Sequence, residues 1–416
     1  MSMNPSTPSG PPAVAVSGAP PAHSPLIPGL ALSPETELLA CCCRCMVGRD
    51  DHARIDELLG RNLDWSGFLH RAGVERIMPL AHETLVRRHA DRVPPPALAS
   101  LRRSYLANAA HNRFLTSELL RVLNLLDQIG VPAIPFKGPV LAETLYGGLE
   151  LRQIGDLDIL VRQQDVDAAL ALLQNDGYQR VVEDVDYHHE LQHERNRVRL
   201  ELHFGILPSH LALAPDPEAF WQRAQPTSFA GRSVLQLSAE DLLLYMCVHG
   251  IKHNWASLER IFGVAKLLEK RPDLNWALTL EQARAFGLER SLMLGLALAR
   301  DLFDSVWPPA VAARMRRNRG IESLSRQALG WTFHKSGDRI SLDEEYTLHL
   351  KIREGGWRRL LYLMHVLFHP TKKDRSAVPL PGPLAILYAP VRVVRVLCSA
   401  DGRAGAARFF RGLISR

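Results

Sequence analysis

The residues best suited to chemistry are two aspartates separated by one apolar side chain. In Gly155-Asp156-Leu157-Asp158-Ile159-Leu160-Val161 an extended strand puts Asp156, Asp158 and Leu160 on one face and Leu157, Ile159 and Val161 on the other. Carboxylates about 7 Å apart on one face repel each other unless a cation answers them. Asp156 and Asp158 are therefore a candidate metal site. A second alternating run, 197–204, turns Val198, Leu200, Leu202 and Phe204 to the core and Glu201 and His203 to the polar face with Arg197 and Arg199. Asp156, Asp158 and Glu201 on adjacent strands can hold two hard cations, Mg²⁺ or alternatively Mn²⁺, as in displacements at phosphorus. His203 is expected to support Glu201 rather than to ligate.

Several elements must position these groups. Val131–Phe136 reads as a strand entering Lys137-Gly138-Pro139, where Pro139 suits the first turn of a helix that runs to Tyr146 and stops at Gly147-Gly148. A strand, a glycine corner and a helix start leave backbone amides free for an anion, and Lys137 adds a charge suited to a phosphate. Arg152 is carried toward the aspartates, as a phosphate clamp or as an ion-pair partner. A helix over 165–176 ends at Gly177, and a strand is predicted over 178–183. The order strand, helix, strand, helix, strand, strand predicts an α+β protein with a small mixed sheet.

Helical periodicity dominates the rest. Helices are predicted over 35–46, 51–60, 65–88 and 101–129, the last with a stripe of Leu115, Leu119, Leu120, Val122, Leu123 and Leu126. No catalytic spacing occurs among them, so they read as a scaffold. Cys41, Cys42, Cys43 and Cys45 crowd one helical turn and are expected to act as small buried hydrophobes. Ser238-Ala239-Glu240-Asp241 resembles a capping box opening a helix through Trp255, on which Asp241, Tyr245, His249 and His253 share a face. That face either packs between helices or closes over a ligand, with His249 or Lys252 touching phosphate. Further helices are predicted over 279–286, 289–303 and 309–317. The expected division is a disordered Pro-rich tail over 1–33, an N-terminal helical domain over 34–130, an α/β core over 131–235, a C-terminal helical domain over 236–375 and a basic amphipathic tail over 376–416.

Residues 1–33 hold eight prolines and no charged side chain, and they match neither a signal peptide nor a foldable segment. The net charge of +6 is local: residues 351–416 carry 13 Lys and Arg against 3 acids, leaving residues 1–350 mildly acidic. Residues 391–416 could lie on an anionic membrane surface or hold an acidic partner, or simply cover the core. Charge alone supports nucleic-acid binding, and no recognition motif joins it. No transmembrane run is present, and the expected location is cytoplasmic, or membrane-peripheral through the tail.

Phe-Lys-Gly-Pro-Val-Leu (136–141), Leu-Tyr-Gly (145–147), Arg152, Gly-Asp-Leu-Asp-Ile-Leu-Val (155–161), Gly-Tyr (177–178) and Leu-Glu-Leu-His (200–203) resemble the uncharacterised bacterial nucleotidyltransferase family, within the polymerase-β-like nucleotidyltransferase superfamily. Asp64-Trp65, His249, His253 and Trp255 extend the resemblance over about residues 35–375. The resemblance implies a small mixed-sheet nucleotidyltransferase core flanked by helical domains. It implies transfer of a nucleoside monophosphate from a nucleoside triphosphate to a hydroxyl or similar group of an acceptor, whether small molecule, glycan, peptide or protein. Asp156 and Asp158 would bind two Mg²⁺, with Glu201 as third ligand or base. Lys137, Gly138 and Arg152 would face the triphosphate, with His203, His249 and His253 near the nucleotide. Gly138-Pro139 departs from the Gly-Ser or Gly-Gly common in the superfamily, which removes one amide donor. Asp158→Asn is expected to stop transfer and leave folding intact.

Two other classes stay open. His189-Glu190-Leu191-Gln192-His193 matches the zinc-peptidase pattern, which requires a helix; on a strand the two histidines stand about 13 Å apart. The fold could also serve as a non-catalytic binding protein.

Overall fold

The computed structural model describes residues 26–27, 30–181, 187–206, 217–334, 340–368, 378 and 387–398. The expectations for most of residues 1–33, for the end of the 178–183 strand and for the tail after Cys398 lie outside the described residues.

Ser33 caps α1 (Pro34–Met46) by accepting the Thr36 amide, and Asp64 caps α3 (Trp65–Val74) by accepting that of Gly67. Between them lies α2 (His52–Leu59), and α4 (Met78–Arg88) follows. Cys41, Cys42 and Cys43 are fully buried in α1. Helix α5 (Pro95–Gln128) starts on its prolines and runs for 34 residues. The sheet elements follow: β1 (Ile134–Pro135), α6 (Gly138–Leu141) continued by a π-helical turn over Ala142–Tyr146, β2 (Leu157–Leu160), α7 (Val166–Asn175), β3 (Tyr178–Arg180), β4 (His188–His193) and β5 (Arg199–His203). The strand order is β1-β2-β5-β4-β3, with β2 and β5 parallel and the other pairs antiparallel, which is the mixed sheet expected.

Leu115, Leu119, Val122 and Leu126 of α5 and Leu170 of α7 cover one face of this sheet, against Leu157, Ile159, Leu200 and Leu202. Each such buried side chain contributes roughly 1.5–3 kcal/mol. A one-residue slip of β2 would turn Leu157 and Ile159 out of that core and Asp158 into it, so burial fixes the register that presents Asp158.

After α8 (Glu218–Arg223) comes a hairpin, β6 (Gln225–Phe229) and β7 (Arg232–Gln236), which the sequence reading missed. Pro226 and an exposed, polar β6 give no strand signal, and the turn rests on positive φ at Ala230 (47°) and Gly231 (77°). Helices α9 (Ala239–Lys252), α10 (Leu258–Lys270), α11 (Trp276–Ala285), α12 (Glu289–Phe303), α13 (Pro309–Arg317), α14 (Ile321–His334), α15 (Leu342–Lys351) and α16 (Gly356–Phe368) complete the chain up to α17 (Tyr388–Cys398). Ser238 caps α9 as expected, but α9 stops at Lys252, because Asn254 and Trp255 take φ of 55° and 54°. The buried Trp255 ring then folds back on Gly250, where an added Cβ would lie 2.4 Å from it. One apolar cluster joins Leu39, Phe68 and Leu80 to Leu244, Phe262 and Leu296, so the two helical regions share a core.

A polar network ties α5 to α7 and β3. Arg121 bridges Glu118 and Asp176 at 2.6–3.0 Å, and Tyr178 Oη donates to Glu118 at 2.7 Å. Burial pushes the Glu118 carboxyl up, but the hydrogen bonds from Arg121 and Tyr178 outweigh it and hold it below its usual value. A depressed carboxylate stabilises the fold above its unfolded value, near pH 4.3, and the contribution is lost as pH falls through the folded value. Glu118→Gln is expected to cost about 2 kcal/mol at pH 7 and progressively less below pH 4, measured by urea unfolding of both proteins across that range.

No helix among the described residues is long and apolar enough to cross a membrane. Of the basic residues of the tail, read as meeting an anionic surface or an acidic partner or as covering the core, Arg392 is turned inward. It is 5% exposed and donates to the Val366 carbonyl at 2.7 Å, because α17 packs on α16.

Candidate active site

The parallel register sets Asp158 opposite Glu201 and Leu160 opposite His203, while β4 sets His188 opposite His203 and Glu190 opposite Glu201. Asp158, Glu201, His203, His188 and Glu190 thus share the sheet face turned away from α5. Lys137 Nζ reaches Asp158 Oδ1 at 2.5 Å. His203 Nε2 lies 3.3 Å from Asp158 Oδ1 and 3.1 Å from Glu201 Oε2. Gly138 takes φ +58° at the corner, and a Cβ there would meet the Asp156 carbonyl at 3.4 Å, so glycine lets this turn close on the acidic strand.

Asp156 joins the cluster from the residue before β2. Burial and then Asp158 raise its pKa. Asp158 falls the other way, since Lys137 and His203 outweigh its burial. Burial also opposes ionisation of Glu201, yet the His203 hydrogen bond and Lys137 hold it far below the usual range. Lys137 stays protonated although buried, chiefly through Asp158.

Lys137, Asp156, Glu201 and His203 line a cleft of about 260 Å³ together with Arg76, Arg152, Tyr187, Glu190, Tyr245, His249, Lys252, His253, Glu259 and Arg260, with Asp158 buried behind them. Arg152 is an ion-pair partner here, with Nε 3.2 Å from Glu259, which also accepts from Tyr146 at 2.9 Å. Asn108 and Asn112 of α5 hold its carbonyl at 3.0 and 2.7 Å. His249 and His253 lie 4.6 Å apart, ring to ring. Burial and nearby cations, Lys137 for His249 and Arg260 for His253, hold both neutral, His253 at about 3, so neither brings positive charge to a phosphate. Lys252 donates to Tyr187 Oη at 2.5 Å.

The sequence reading missed Arg76, His188, Glu259 and Arg260, and named Glu190 only within the zinc-peptidase pattern. Arg76 follows α3 and donates to the Gln153 carbonyl at 2.8 Å, so the N-terminal region, read as a scaffold, also lines the cleft. Arg260 has a buried Nε without a hydrogen-bond partner. No local spacing marks either arginine, whereas His188 could have been found by carrying the β4 alternation two residues back from Glu190. Among acids, Asp158 Oδ2 is buried without a hydrogen-bond partner. With Asp156 and Glu201 beside it, this all-oxygen donor set fits a hard divalent cation.

The zinc-peptidase alternative does not stand. His188–His193 is a strand, so Glu190 projects to the face opposite His189 and His193. His189 packs against the Phe204 ring at 5.3 Å, and His193 Nε2 meets the Asp176 carbonyl at 3.1 Å, on the far side of the sheet from the cleft.

A short mixed sheet with paired acids on its parallel strands, a glycine corner before them and helices on both sides places the protein in the nucleotidyltransferase class. Residues 61–304 match the family described as uncharacterised nucleotidyltransferases, and the chain belongs to that family. No curated protein matches this chain. Similar solved structures include the lincosamide antibiotic adenylyltransferase LnuA with lincomycin bound, at 22% identity over 36% of this chain and 94% of that one, with a TM-score of 0.28. The antibiotic-resistance factor ANT(2'')-Ia is 16% identical over 42% and 91%, with a TM-score of 0.30. An antigenic nucleotidyltransferase-like protein from Paracoccidioides brasiliensis is 14% identical over 51% and 92%, also at 0.30.

Proposed function

We propose that the protein transfers a nucleoside monophosphate from a nucleoside triphosphate to a hydroxyl-bearing acceptor, using Mg²⁺ held by Asp156, Asp158 and Glu201. One juxtaposition carries the reading: Asp158 and Glu201 in register on parallel strands, Asp156 beside them, and Lys137, Arg152, Lys252 and Arg260 lining the same cleft. The acceptor oxygen bonds to the α-phosphorus, the bond from that phosphorus to the bridging oxygen breaks, pyrophosphate leaves, and the hydroxyl proton is released. The bound cation supplies neutralisation of the triphosphate charge. Lys137 and His203 fix the Asp158 carboxylate, and Lys137 adds positive charge beside the phosphates. Glu201, held firmly ionised, suits cation binding better than proton acceptance. Arg260, with an unused N–H, is placed to take a phosphate oxygen. The reaction draws on the cytoplasmic nucleoside triphosphate pool, the compartment this reading assigns.

The reading requires cation-dependent triphosphate binding. Equilibrium titration with a non-hydrolysable nucleoside triphosphate should show binding with Mg²⁺ and its loss with EDTA; indifference to the cation contradicts it. Arg260→Ala should weaken that binding roughly 10- to 100-fold, the value of a charge-assisted hydrogen bond. An unchanged Kd would remove Arg260 from the phosphate site.

A further inference from the structure

His188 is 2% exposed, yet neither ring nitrogen has a hydrogen-bond partner. One nitrogen of a neutral imidazole carries a lone pair and the other an N–H, so both capacities go unused. A buried polar group without a partner costs about 1–3 kcal/mol and calls for an explanation. The ring lies over His203, centroids 4.9 Å apart and nearly parallel, because the two residues face each other across β4 and β5. Glu201, two residues before His203, falls on the same face.

We propose that His188, Glu201 and His203 form a site for a borderline divalent metal ion, Zn²⁺ foremost, distinct in donor chemistry from the all-oxygen set of Asp156 and Asp158. One ligand atom from each of the three lies within 4.8 Å of the others. Ligands about 2.0–2.2 Å from a tetrahedral ion stand roughly 3.5 Å apart, so the set is open by about 1 Å at its widest. His203 Nε2 and Glu201 Oε2 are already 3.1 Å apart, while His188 Nε2 is 3.9 Å from Glu201. The closing movement therefore falls on His188, whose nitrogens make no hydrogen bond and whose Nε2 lies 3.7 Å from Glu190 Oε1. Two imidazoles and one carboxylate leave a fourth position for water, and imidazole favours zinc-like ions where Mg²⁺ prefers oxygen. The proposal rests on the nucleotidyl-transfer reading through Glu201, which belongs to both donor sets, and through His203, which as a ligand would give up its 3.3 Å contact with Asp158 and leave that carboxylate to Lys137.

The full chain, stripped with a chelator, is titrated with Zn²⁺ alone against a chromophoric competitor, and separately with Co²⁺ read by visible absorption. One Zn²⁺ per chain is expected, with Co²⁺ bands of a nitrogen-ligated, low-coordinate site and little displacement by equimolar Mg²⁺. His188→Ala should weaken Zn²⁺ binding by at least about tenfold and change the Co²⁺ spectrum, with folding checked by circular dichroism. His188→Gln serves the same purpose should the alanine variant unfold. His189→Ala, one residue along on the opposite face, should leave both readings unchanged. Absent Zn²⁺ binding, equal binding by both His188 variants, or equal loss with His189→Ala overturns the proposal. Transfer without Zn²⁺ binding sinks this site and spares the transferase reading; Zn²⁺ bound through His188 without transfer does the reverse.

Discussion

Asp156→Asn is expected to slow nucleotidyl transfer severely and to leave the cation-free protein at least as stable as the wild type. The carboxyl of Asp156 is raised by burial and by Asp158, so keeping it ionised at neutral pH works against folding. The sign is that of an acid whose folded value exceeds its unfolded one: the penalty is full above the folded value and vanishes below the unfolded value. An amide removes the penalty and, with it, that part of the pH dependence. Loss of a cation-binding carboxylate should lower kcat/KM on the order of 10³-fold, equivalent to about 4 kcal/mol of transition-state stabilisation. Calorimetry without divalent ions and transfer assays with Mg²⁺ check the two halves. A lower Tm together with retained transfer would reverse both assignments.

Lys137→Met should act on stability instead. Lys137 and Asp158 are buried partners, with side chains 11% and 0% exposed. Removing the ammonium strands Asp158 without its counter-charge, a change that costs about 3–5 kcal/mol, a large share of the roughly 5–15 kcal/mol that holds a domain folded. The double variant Lys137→Met/Asp158→Asn should recover most of that loss, because the stranded charge goes with its partner. Urea midpoints of the wild type, the two single variants and the double variant give the coupling directly. Additive losses would mean that the pair does not act as a unit. The same pairing revises the expectation that Asp158→Asn leaves folding intact: Lys137 and His203 both lean on Asp158. Asp156 is the better probe of chemistry.

Much of this arrangement was legible because it is local. The two-residue period of 155–161 and 197–204 names the face of each acid, and the α5 stripe names the cover of the other face. Their adjacency in a mixed sheet was expected from the order of elements, and the parallel sense of the pair was not. What escaped the reading depends on distant parts of the chain meeting. Arg76, in the turn between α3 and α4, and Arg260, on α10, reach the cleft from distant parts of the chain, and neither sits in a local pattern that marks it. His188 was hidden by a stronger-looking motif one residue further on, whose histidines face the far side of the same strand. The hairpin of β6 and β7 carries little apolar alternation, so only its Ala230-Gly231 turn could have marked it. Arg152 was read with two roles, and its 3.2 Å contact with Glu259 shows the ion pair while leaving its place in the cleft unchanged.

Attack on the α-phosphate driven by Asp156, Asp158 and Glu201 can be tested directly. The purified protein, Mg²⁺ and an extract of its source cells are incubated in parallel with nucleoside triphosphate labelled at the α- or the γ-phosphate. The α-label should join an acceptor with stoichiometric release of pyrophosphate, the γ-label should appear only in that pyrophosphate, and Asp156→Asn should give neither. Transfer of the γ-label to an acceptor, or equal α-label incorporation by the Asp156→Asn protein, would contradict that role of the three acids. No incorporation from any of the four nucleotides would favour a binding protein that keeps the fold without the reaction.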